Sequence, residues 1–190
     1  VTGVVIALYD AQKNRIYAYP EEQCEFCGEI RKNPKIDKKC VECDNYGFDK
    51  CAHSKKLEIY KCHMGLFEAV SPIKKDDIIM GYLLIGQFMS ENNKEAIIEN
   101  MKSINIKSED LYGKLNNIQL LSYEKIKSLA SLVNMCAHYL ILENIVNIRH
   151  DGLPDVILRY IKENISEKLT VKSICDYFYI SKSHLYSVSI

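Results

Sequence analysis

The sequence has no apolar run approaching the roughly 20 residues that a membrane-spanning helix requires. Its first segment lacks the basic region and the cleavage pattern of a signal peptide. Lys and Arg together number 25, as do Asp and Glu, so no net charge directs the whole chain toward nucleic acid or membrane. We therefore expect a cytoplasmic protein, in which thiols stay reduced.

The usual sequence marks of an enzyme are also missing. The chain has no glycine-rich phosphate-binding loop, no serine nucleophile elbow and no carboxylate pair typical of acid–base catalysis. Cys62 and His63 combine a nucleophile with a base, but neighbours on a strand point to opposite faces and cannot pair with each other. We predict that the protein is not an enzyme.

Short segments with strand character surround a helical insert in the first part of the chain. Two of them precede the insert, which runs from Glu21 to Lys56 and is broken at Pro34. Three more follow, ending with the apolar run IIMGYLLIGQFM, and a helix comes next. This order predicts one antiparallel sheet of about five strands and an α+β fold. Hydrophobic residues make up 47% of the 190 residues, enough for a substantial core.

From Ser122 to Ile148, apolar residues recur every three or four positions. The pattern predicts a helix of about 26 residues, roughly 40 Å long. Such a helix cannot bury its whole length on a small sheet, so we expect a dimer seam with a second copy of the chain. The alternative is a helix that lies across its own domain. The expected seam residues are Ile126, Leu129, Val133, Cys136, Leu140, Ile141, Ile145 and Ile148.

The last part of the chain follows a linker with the sequence RHDGLPD. We predict a helix from Pro154 to Asn164 and another from Val171 to Phe178, the second with Thr170 as its N-cap. A tight turn then leads into a new helix capped by Ser181. Two short helices joined by a tight turn form a helix-turn-helix.

Six of the eight cysteines fall between positions 24 and 62. Residues 31–56 carry eight Lys or Arg against four Asp or Glu, a setting that favours deprotonated thiols. The pairs Cys24/Cys27 and Cys40/Cys43 have a spacing typical of zinc sites, and iron–sulfur clusters use the same ligands. Redox or disulfide pairs and simple packing are the alternatives. The two cysteines that lie on apolar helix faces, and are expected in the core, are Cys136 and Cys175.

The residues ILRYIKENISEKLTVKSICDYFYISKSHLYSV, within positions 153–188, resemble the opening of an AraC-type DNA-binding domain. That family carries two helix-turn-helix units, whereas this chain stops within the first. Residues 151–190 contain five Lys or Arg and five Asp or Glu, so we expect weak or no DNA binding from this chain alone. The resemblance implies DNA-binding positions at Ser181, Lys182, Ser183, His184 and Tyr186.

The body of the chain resembles the PocR sensory domain, a PAS-like module often placed before AraC-type domains. Four segments carry this resemblance: FCGEIRKNP, KCVECD, YKCHMGLFEAVSPI and IMGYLLIGQFM. It implies a PAS-like sheet with a pocket for a small organic molecule. Short diols and polyols, such as propanediol or glycerol, are the ligand class associated with the family.

The residues of these segments suit a small polyol, which needs a few fixed polar groups inside an apolar cup. Glu68 and Gln87 are polar residues in otherwise apolar strands, and a buried amide there needs hydrogen-bond partners. The alternative is that both point to solvent, which a one-residue change of register would produce. The expected ligand-binding residues are Tyr60, His63, Glu68, Tyr82 and Gln87.

The resemblance also implies a second possible set of metal ligands. Positions that match its motifs hold Cys27, Cys40 and Cys62, with His63 or Cys43 as the fourth ligand. This set would bring the helical insert onto the ligand-binding strand. Over both sets, the candidate metal ligands are Cys24, Cys27, Cys40, Cys43 and Cys62.

Together these features predict a homodimeric ligand-sensing module of an AraC-family transcriptional regulator. We expect a PAS-like sensory domain at residues 1–120, a dimerisation helix at 121–150 and a partial helix-turn-helix at 151–190. A diol or polyol would shift the long helix and so reposition the DNA-binding segments. The alternative is a zinc- or iron–sulfur-based metal or redox sensor without a small-molecule ligand.

Overall fold

The computed structural model of the protein describes residues 4–75, 77–103, 109–142 and 153–188. Within these ranges, no helix is long and apolar enough to cross a membrane. The strands are β1 (Val5–Asp10), β2 (Arg15–Tyr19), β3 (Glu58–Lys61), β4 (Phe67–Lys75) and β5 (Ile78–Phe88). The helices are α1 (Glu25–Ile30), α2 (Pro34–Ser54), α3 (Lys94–Ser103), α4 (Glu109–Asn116), α5 (Tyr123–Leu142), α6 (Leu153–Glu163), α7 (Val171–Phe178) and α8 (Lys182–Val188).

The five strands form one sheet in the order β2-β1-β5-β4-β3, and every neighbouring pair is antiparallel. The predicted antiparallel sheet and the α+β class are confirmed. β4 and β5 occupy the middle of the sheet and bury most of their residues on both faces. This explains why they read as continuous apolar runs rather than as alternating ones.

Helices cover the two faces of the sheet. Alternate residues of β4 and β5 point to opposite sides, as the pleat requires. Ala69 and Ile85 belong to the core beneath α5, whereas Val70 and Leu84 belong to the core beneath α2. A third core lies under the insert, where α1, α3 and α4 pack around Leu66. The helix α4 in this core was not predicted from the sequence.

The helix α5 lies across its own sheet along the described part of its length. Ile126 and Val133 are buried against β4 and β5, and three further predicted seam residues pack partly there: Leu129, Leu140 and Ile141. The prediction that this stripe is a dimer seam is therefore wrong for these positions, because their apolar surface is already buried on the sheet. The predicted seam residues Ile145 and Ile148 lie outside the described residues.

The opposite side of α5 is apolar and exposed. Leu132, Met135, Tyr139 and Leu142 each leave more than half of their side-chain surface accessible. Cys136 is also exposed, so the prediction that it belongs to the core is wrong. Cys136 directly precedes the buried Ala137, and a step of one residue turns a helix by about 100°.

Three short helices, α6, α7 and α8, make up the described tail and share a small core. Their bounds agree with the predicted helices to within one residue at most ends. Thr170 caps α7 by accepting a hydrogen bond from the backbone N–H of Ser173 at 3.0 Å. Ser181 does the same for His184 at the start of α8, at 3.1 Å. Cys175 is buried in this core, as expected.

Candidate functional site

A buried carboxyl group and a half-buried amide meet at the centre of the sheet. Glu68 lies on β4 with 4% of its surface exposed, and Gln87 lies near the end of β5. Gln87 Nε2 donates a hydrogen bond to Glu68 Oε1 at 3.2 Å. Tyr60, on β3, stands directly opposite Glu68 in the antiparallel register and is also buried. Three adjacent strands thus bring three of the predicted ligand-binding residues together.

Gly86 makes room for the Glu68 side chain. The two residues pair across β4 and β5, and a Cβ added at Gly86 would lie 2.9 Å from Glu68 Cγ. Real side chains do not approach so closely, so a larger residue at this position would displace the carboxyl group. The glycine is therefore part of the site.

The insert covers this pair with a half-buried ion pair. Arg31, which directly follows α1, donates from Nη2 to Asp44 Oδ2 at 2.9 Å and from Nη1 to Asp37 Oδ1 at 3.1 Å. Burial opposes the Arg31 charge, but the hydrogen bonds and the negative charge of Asp44 offset it, so the guanidinium pKa lies above its usual value. Burial raises the pKa of Asp44, although Arg31 opposes the rise.

Sequence reasoning missed Arg31 and Asp44 as site residues. Both lie inside the segments that carry the family resemblance, in FCGEIRKNP and KCVECD. In the sequence, a charged residue of a polar helical insert cannot be told from one that points to solvent. Only the folding of the insert onto the sheet shows that these two charges meet beside Glu68.

Four buried polar atoms near Glu68 have no hydrogen-bond partner among the described residues. Two of these atoms belong to donor groups, the Arg31 Nε–H and the Tyr60 hydroxyl. The other two are acceptors, Glu68 Oε2 and Gln87 Oε1. A buried polar group without a partner costs about 1–3 kcal/mol, and native proteins contain few of them. Their clustering at one place marks this region as a site for a polar ligand.

The environment of Glu68 favours its neutral form. Burial, and secondly the negative charge of Asp44, raise the pKa of Glu68 to about 7. Burial and the neighbouring Glu68 charge also hold the pKa of Tyr60 well above its usual value. A carboxyl group that titrates near neutral pH can present an O–H donor as well as an acceptor.

A small cavity of about 10 Å³ lies at this site. That volume corresponds to about one water-sized sphere, so a diol enters only when neighbouring side chains move. Apolar residues and thiols surround the polar groups. The residues that line it are Cys27, Ile30, Arg31, Cys40, Asp44, Cys62, Met64, Leu66, Glu68 and Gln87.

The predicted metal ligands converge only in part. Cys40 Sγ lies 3.1 Å from His63 Nε2, and Cys43 Sγ accepts a hydrogen bond from the His63 backbone N–H at 3.2 Å. Burial raises the pKa of the Cys40 thiol to about 11. Cys24 and Cys27 interact with each other, and the hydrogen bond from Cys27 lowers the pKa of Cys24. In the described parts of the chain, no three or more His, Cys, Asp or Glu residues are arranged to hold a metal ion.

The structure places the other predicted site residues elsewhere. His63 does not line the small cavity and contacts the thiols instead. Tyr82 is buried beneath α2 with its ring centroid 5.0 Å from that of Phe48. It lines a separate cavity of about 660 Å³ between the sheet and the tail helices. The predicted DNA-binding residues lie at the start and along α8, where Ser181, Lys182, Ser183 and Tyr186 are exposed and His184 is half-buried.

Comparison with known proteins shows to which family the chain belongs. The chain is 23% identical over 176 residues to the regulatory protein PocR of Salmonella typhimurium (strain LT2). This similarity covers 82% of the chain and 58% of that relative, so the chain spans less than two thirds of the relative's length. No solved structure is significantly similar to the chain. Residues 1–145 match the sensory domain found in PocR, and the chain therefore belongs to this family of sensory domains.

Proposed function

We propose that the protein senses a small diol or polyol, such as propanediol or glycerol, in the buried site formed by Tyr60, Glu68 and Gln87. The observation that carries the proposal is the set of four unpartnered polar atoms around Glu68. Arg31 Nε donates, the Tyr60 hydroxyl donates and accepts, and Gln87 Oε1 and the ionised Glu68 Oε2 accept. Each hydroxyl of a diol also donates one hydrogen bond and accepts at least one. A ligand with two hydroxyls therefore supplies partners for all four atoms.

The walls of the site suit the carbon skeleton of such a ligand. Ile30, Met64 and Leu66 are fully buried and line the cavity beside the polar groups. Small-molecule sites commonly combine apolar walls with a few fixed polar groups that set orientation. A ligand with one hydroxyl has a single O–H donor and would leave at least one of the four polar atoms without a partner, so the site is expected to discriminate against simple alcohols.

Entry of the ligand changes the structure of the site. The cavity holds about one water-sized sphere, so the side chains or the insert must move outward to admit a diol. The closed and open forms then differ in their affinity for the ligand. This difference is the free energy available for a signal, typically about 1–3 kcal/mol.

The decisive experiment compares thermal unfolding of the wild type and Gln87→Ala with 1,2-propanediol, glycerol and 1-propanol. We expect the two polyols to stabilise the wild type, 1-propanol to have little effect, and Gln87→Ala to lose the stabilisation. Gln119→Ala is the matched control, because the Gln119 side chain is exposed and Gln119 does not line the small cavity. Equal stabilisation of wild type and Gln87→Ala by the polyols would refute the assignment.

The proposal extends to the rest of the regulator. We propose that α6, α7 and α8 are the beginning of an AraC-type DNA-binding domain and that the sensory domain controls it. The capped α7, the tight turn and α8 support this reading. DNA binding would require the second helix-turn-helix unit, since the chain itself carries no excess of basic residues in its tail.

Dimerisation is proposed through the exposed face of α5. Leu132, Met135, Tyr139 and Leu142 recur at steps of three and four residues on the side of α5 that faces away from the sheet. Spacing of this kind forms the seam between paired helices. The occupant of this face is a second copy of the chain, with the two α5 helices side by side.

A second candidate function is metal or redox sensing by the thiols. The observation that favours it is the 3.1 Å approach of Cys40 Sγ to His63 Nε2, next to Cys43. Zinc, or alternatively an iron–sulfur cluster, is the class of metal centre that such ligands take. Binding would require movement of Cys27 or Cys62 toward this pair. Metal analysis of protein purified without chelator tests this function independently of any polyol.

A further inference from the structure

One turn of the tail makes a side-chain hydrogen bond to the sensory domain. Tyr179, between α7 and α8, has a left-handed backbone with a φ of 52°. Its hydroxyl donates to Asp49 Oδ1 of α2 at 2.7 Å, and its ring meets the edge of the His53 ring at a centroid distance of 6.0 Å. Lys13 also forms an ion pair with Asp49, which fixes the acceptor.

The docked turn and the buried site share one packed cluster. Phe48, Cys51 and Ala52 of α2 form a core with Tyr60, Val70, Tyr82 and Leu84 of the sheet, and Tyr179 of the tail packs against it. Tyr60 thus belongs both to the polar site and to the cluster that the tail contacts. The tail's own core is also in contact with the sensory domain, through Ile78 of β5.

The helix α2 connects the buried site at Glu68 with the turn at Tyr179. Its first half carries Cys40 and Asp44, which line the cavity at Glu68. Its second half carries Asp49, which binds the tail. Between them, Gly47 allows the Tyr60 ring to lie directly on the helix, because a Cβ at this position would overlap the ring. An outward movement of Tyr60 or of the start of α2 therefore acts on the Tyr179–Asp49 contact, because α2 moves as one rigid helix.

We propose that the Tyr179 turn and the second half of α2 form a latch that opens when the buried site expands. In the closed form the cavity is too small for a diol and the tail is held in one orientation. Expansion of the site displaces α2 relative to β3, breaks the Tyr179–Asp49 contact and frees α6, α7 and α8 from the sensory domain. The identity of the signal rests on the proposed function, but the latch itself does not.

The test is amide hydrogen exchange of the whole chain, measured first without ligand. Tyr179→Phe removes the hydroxyl donor and keeps the ring, so exchange in α7 and α8 is expected to accelerate about fivefold, the factor expected for one lost hydrogen bond. The matched control is Tyr46→Phe. Tyr46 is exposed and lies on α2, the helix that carries Asp49, and its replacement should leave exchange in the tail unchanged.

Coupling to the site is tested at Gly47, where the atoms nearest to an added Cβ all belong to Tyr60. Gly47→Ala pushes against the Tyr60 ring and should accelerate exchange in α7 and α8, whereas Gly28→Ala should not, because a Cβ at Gly28 meets nothing within 4 Å. Tyr60→Leu provides a second ligand-free variant if Gly47→Ala does not fold. Unchanged exchange in the tail of Tyr179→Phe overturns the latch. Acceleration by Tyr179→Phe alone, without any effect at Gly47 or Tyr60, overturns the coupling.

Hydrogen exchange measured with ligand distinguishes failure of the latch from failure of the proposed function. Saturating 1,2-propanediol should accelerate exchange in α7 and α8 of the wild type. If propanediol stabilises the protein but leaves this exchange unchanged, the latch is refuted and the sensor stands. If propanediol does not bind, the proposed function fails, and the Gly47 and Tyr179 variants still decide whether the latch exists.

Discussion

Gln87 Nε2 donates to Glu68 Oε1 across 3.2 Å on adjacent central strands, while the second oxygen of Glu68 and the amide oxygen of Gln87 have no partner in the described structure. A pair that served only to stabilise the sheet would satisfy these atoms or replace them with apolar groups. The arrangement instead leaves two buried oxygen atoms available to a ligand. This is the feature expected of a recognition site that a small polar ligand completes.

Stability is predicted to depend on pH through Glu68. Its pKa is raised by burial from 4.5 to about 7, so the folded state binds more protons than the unfolded state between these values. Unfolding free energy should therefore fall as pH rises from about 4.5 through 7, by a few kcal/mol in total. Glu68→Gln, which resembles the neutral acid, should remove this fall. Urea unfolding at a series of pH values between 5 and 8 measures it.

Glu29→Gln is the control for the pH experiment, because Glu29 is a surface carboxyl whose pKa is lowered by hydrogen bonds from Lys114 and Lys32. Its replacement should leave the decline between pH 5 and 8 in place. A Glu68→Gln protein that loses stability over this range as steeply as the wild type would show that another group is responsible.

Two glycine substitutions should have opposite effects on stability. Gly47→Ala forces the Tyr60 ring aside and is expected to cost about 1–3 kcal/mol of unfolding free energy. Gly28→Ala adds a methyl group to α1 in open space and should be neutral or stabilise by up to about 1 kcal/mol. Chemical denaturation of both variants gives the two values. Equal effects would contradict the close packing of Tyr60 on α2.

The exposed face of α5 is predicted to form the interface of the proposed dimer. Tyr139→Glu places a charge among the exposed apolar residues of this face and should shift the protein to the monomer. Tyr46→Glu is a matched control, since Tyr46 is 60% exposed and Tyr139 is 55% exposed. Light scattering after size-exclusion chromatography reports the mass. A wild-type monomer, or a dimer that survives Tyr139→Glu, would exclude α5 as the interface.

Thiol reactivity should separate the cysteines by position. Cys136 is exposed and should react first with iodoacetamide at pH 7.5. Burial raises the pKa of Cys40 to about 11 and that of Cys51 to about 12, so both should react slowly. Peptide mass spectrometry gives the order. Rapid labelling of Cys40 at the pace of Cys136 would contradict the packing of the insert.

The same labelling, repeated with EDTA, tests the second candidate function. A bound metal protects Cys40 and Cys43, and a chelator would then accelerate their reaction. Burial alone gives the same rates with and without EDTA. Cys51, which lies on α2 and is buried in the core between that helix and the sheet, serves as the internal reference.

Much of the sheet could be predicted because local patterns determine it. The apolar runs of β1, β4 and β5 and the cap at Thr170 each follow from a few neighbouring residues. Glu68 and Gln87 could be identified because polar residues interrupt these runs. The number of strands and the helical insert followed in the same way.

The remaining features depend on packing between distant segments. The stripe of Ile126 and Val133 has the spacing of both a dimer seam and a helix lying on its own sheet, and only the tertiary fold distinguishes them. Arg31 and Asp44 become site residues because the insert folds over β4 and β5. Tyr179 is a turn residue by sequence, and its bond to Asp49 joins segments separated by 130 positions.

The strand order also governs how the domain is made. β1 pairs with β2 on one side and with β5 on the other, and β5 is the last of the described strands to be synthesised. One edge of the β1–β2 hairpin therefore stays unpaired while the insert, β3 and β4 are synthesised. Unpaired strand edges are where newly made chains associate wrongly. Shortened versions that end before Phe88 would expose this edge permanently. Productive expression of the sensor thus depends on keeping both strands in one chain.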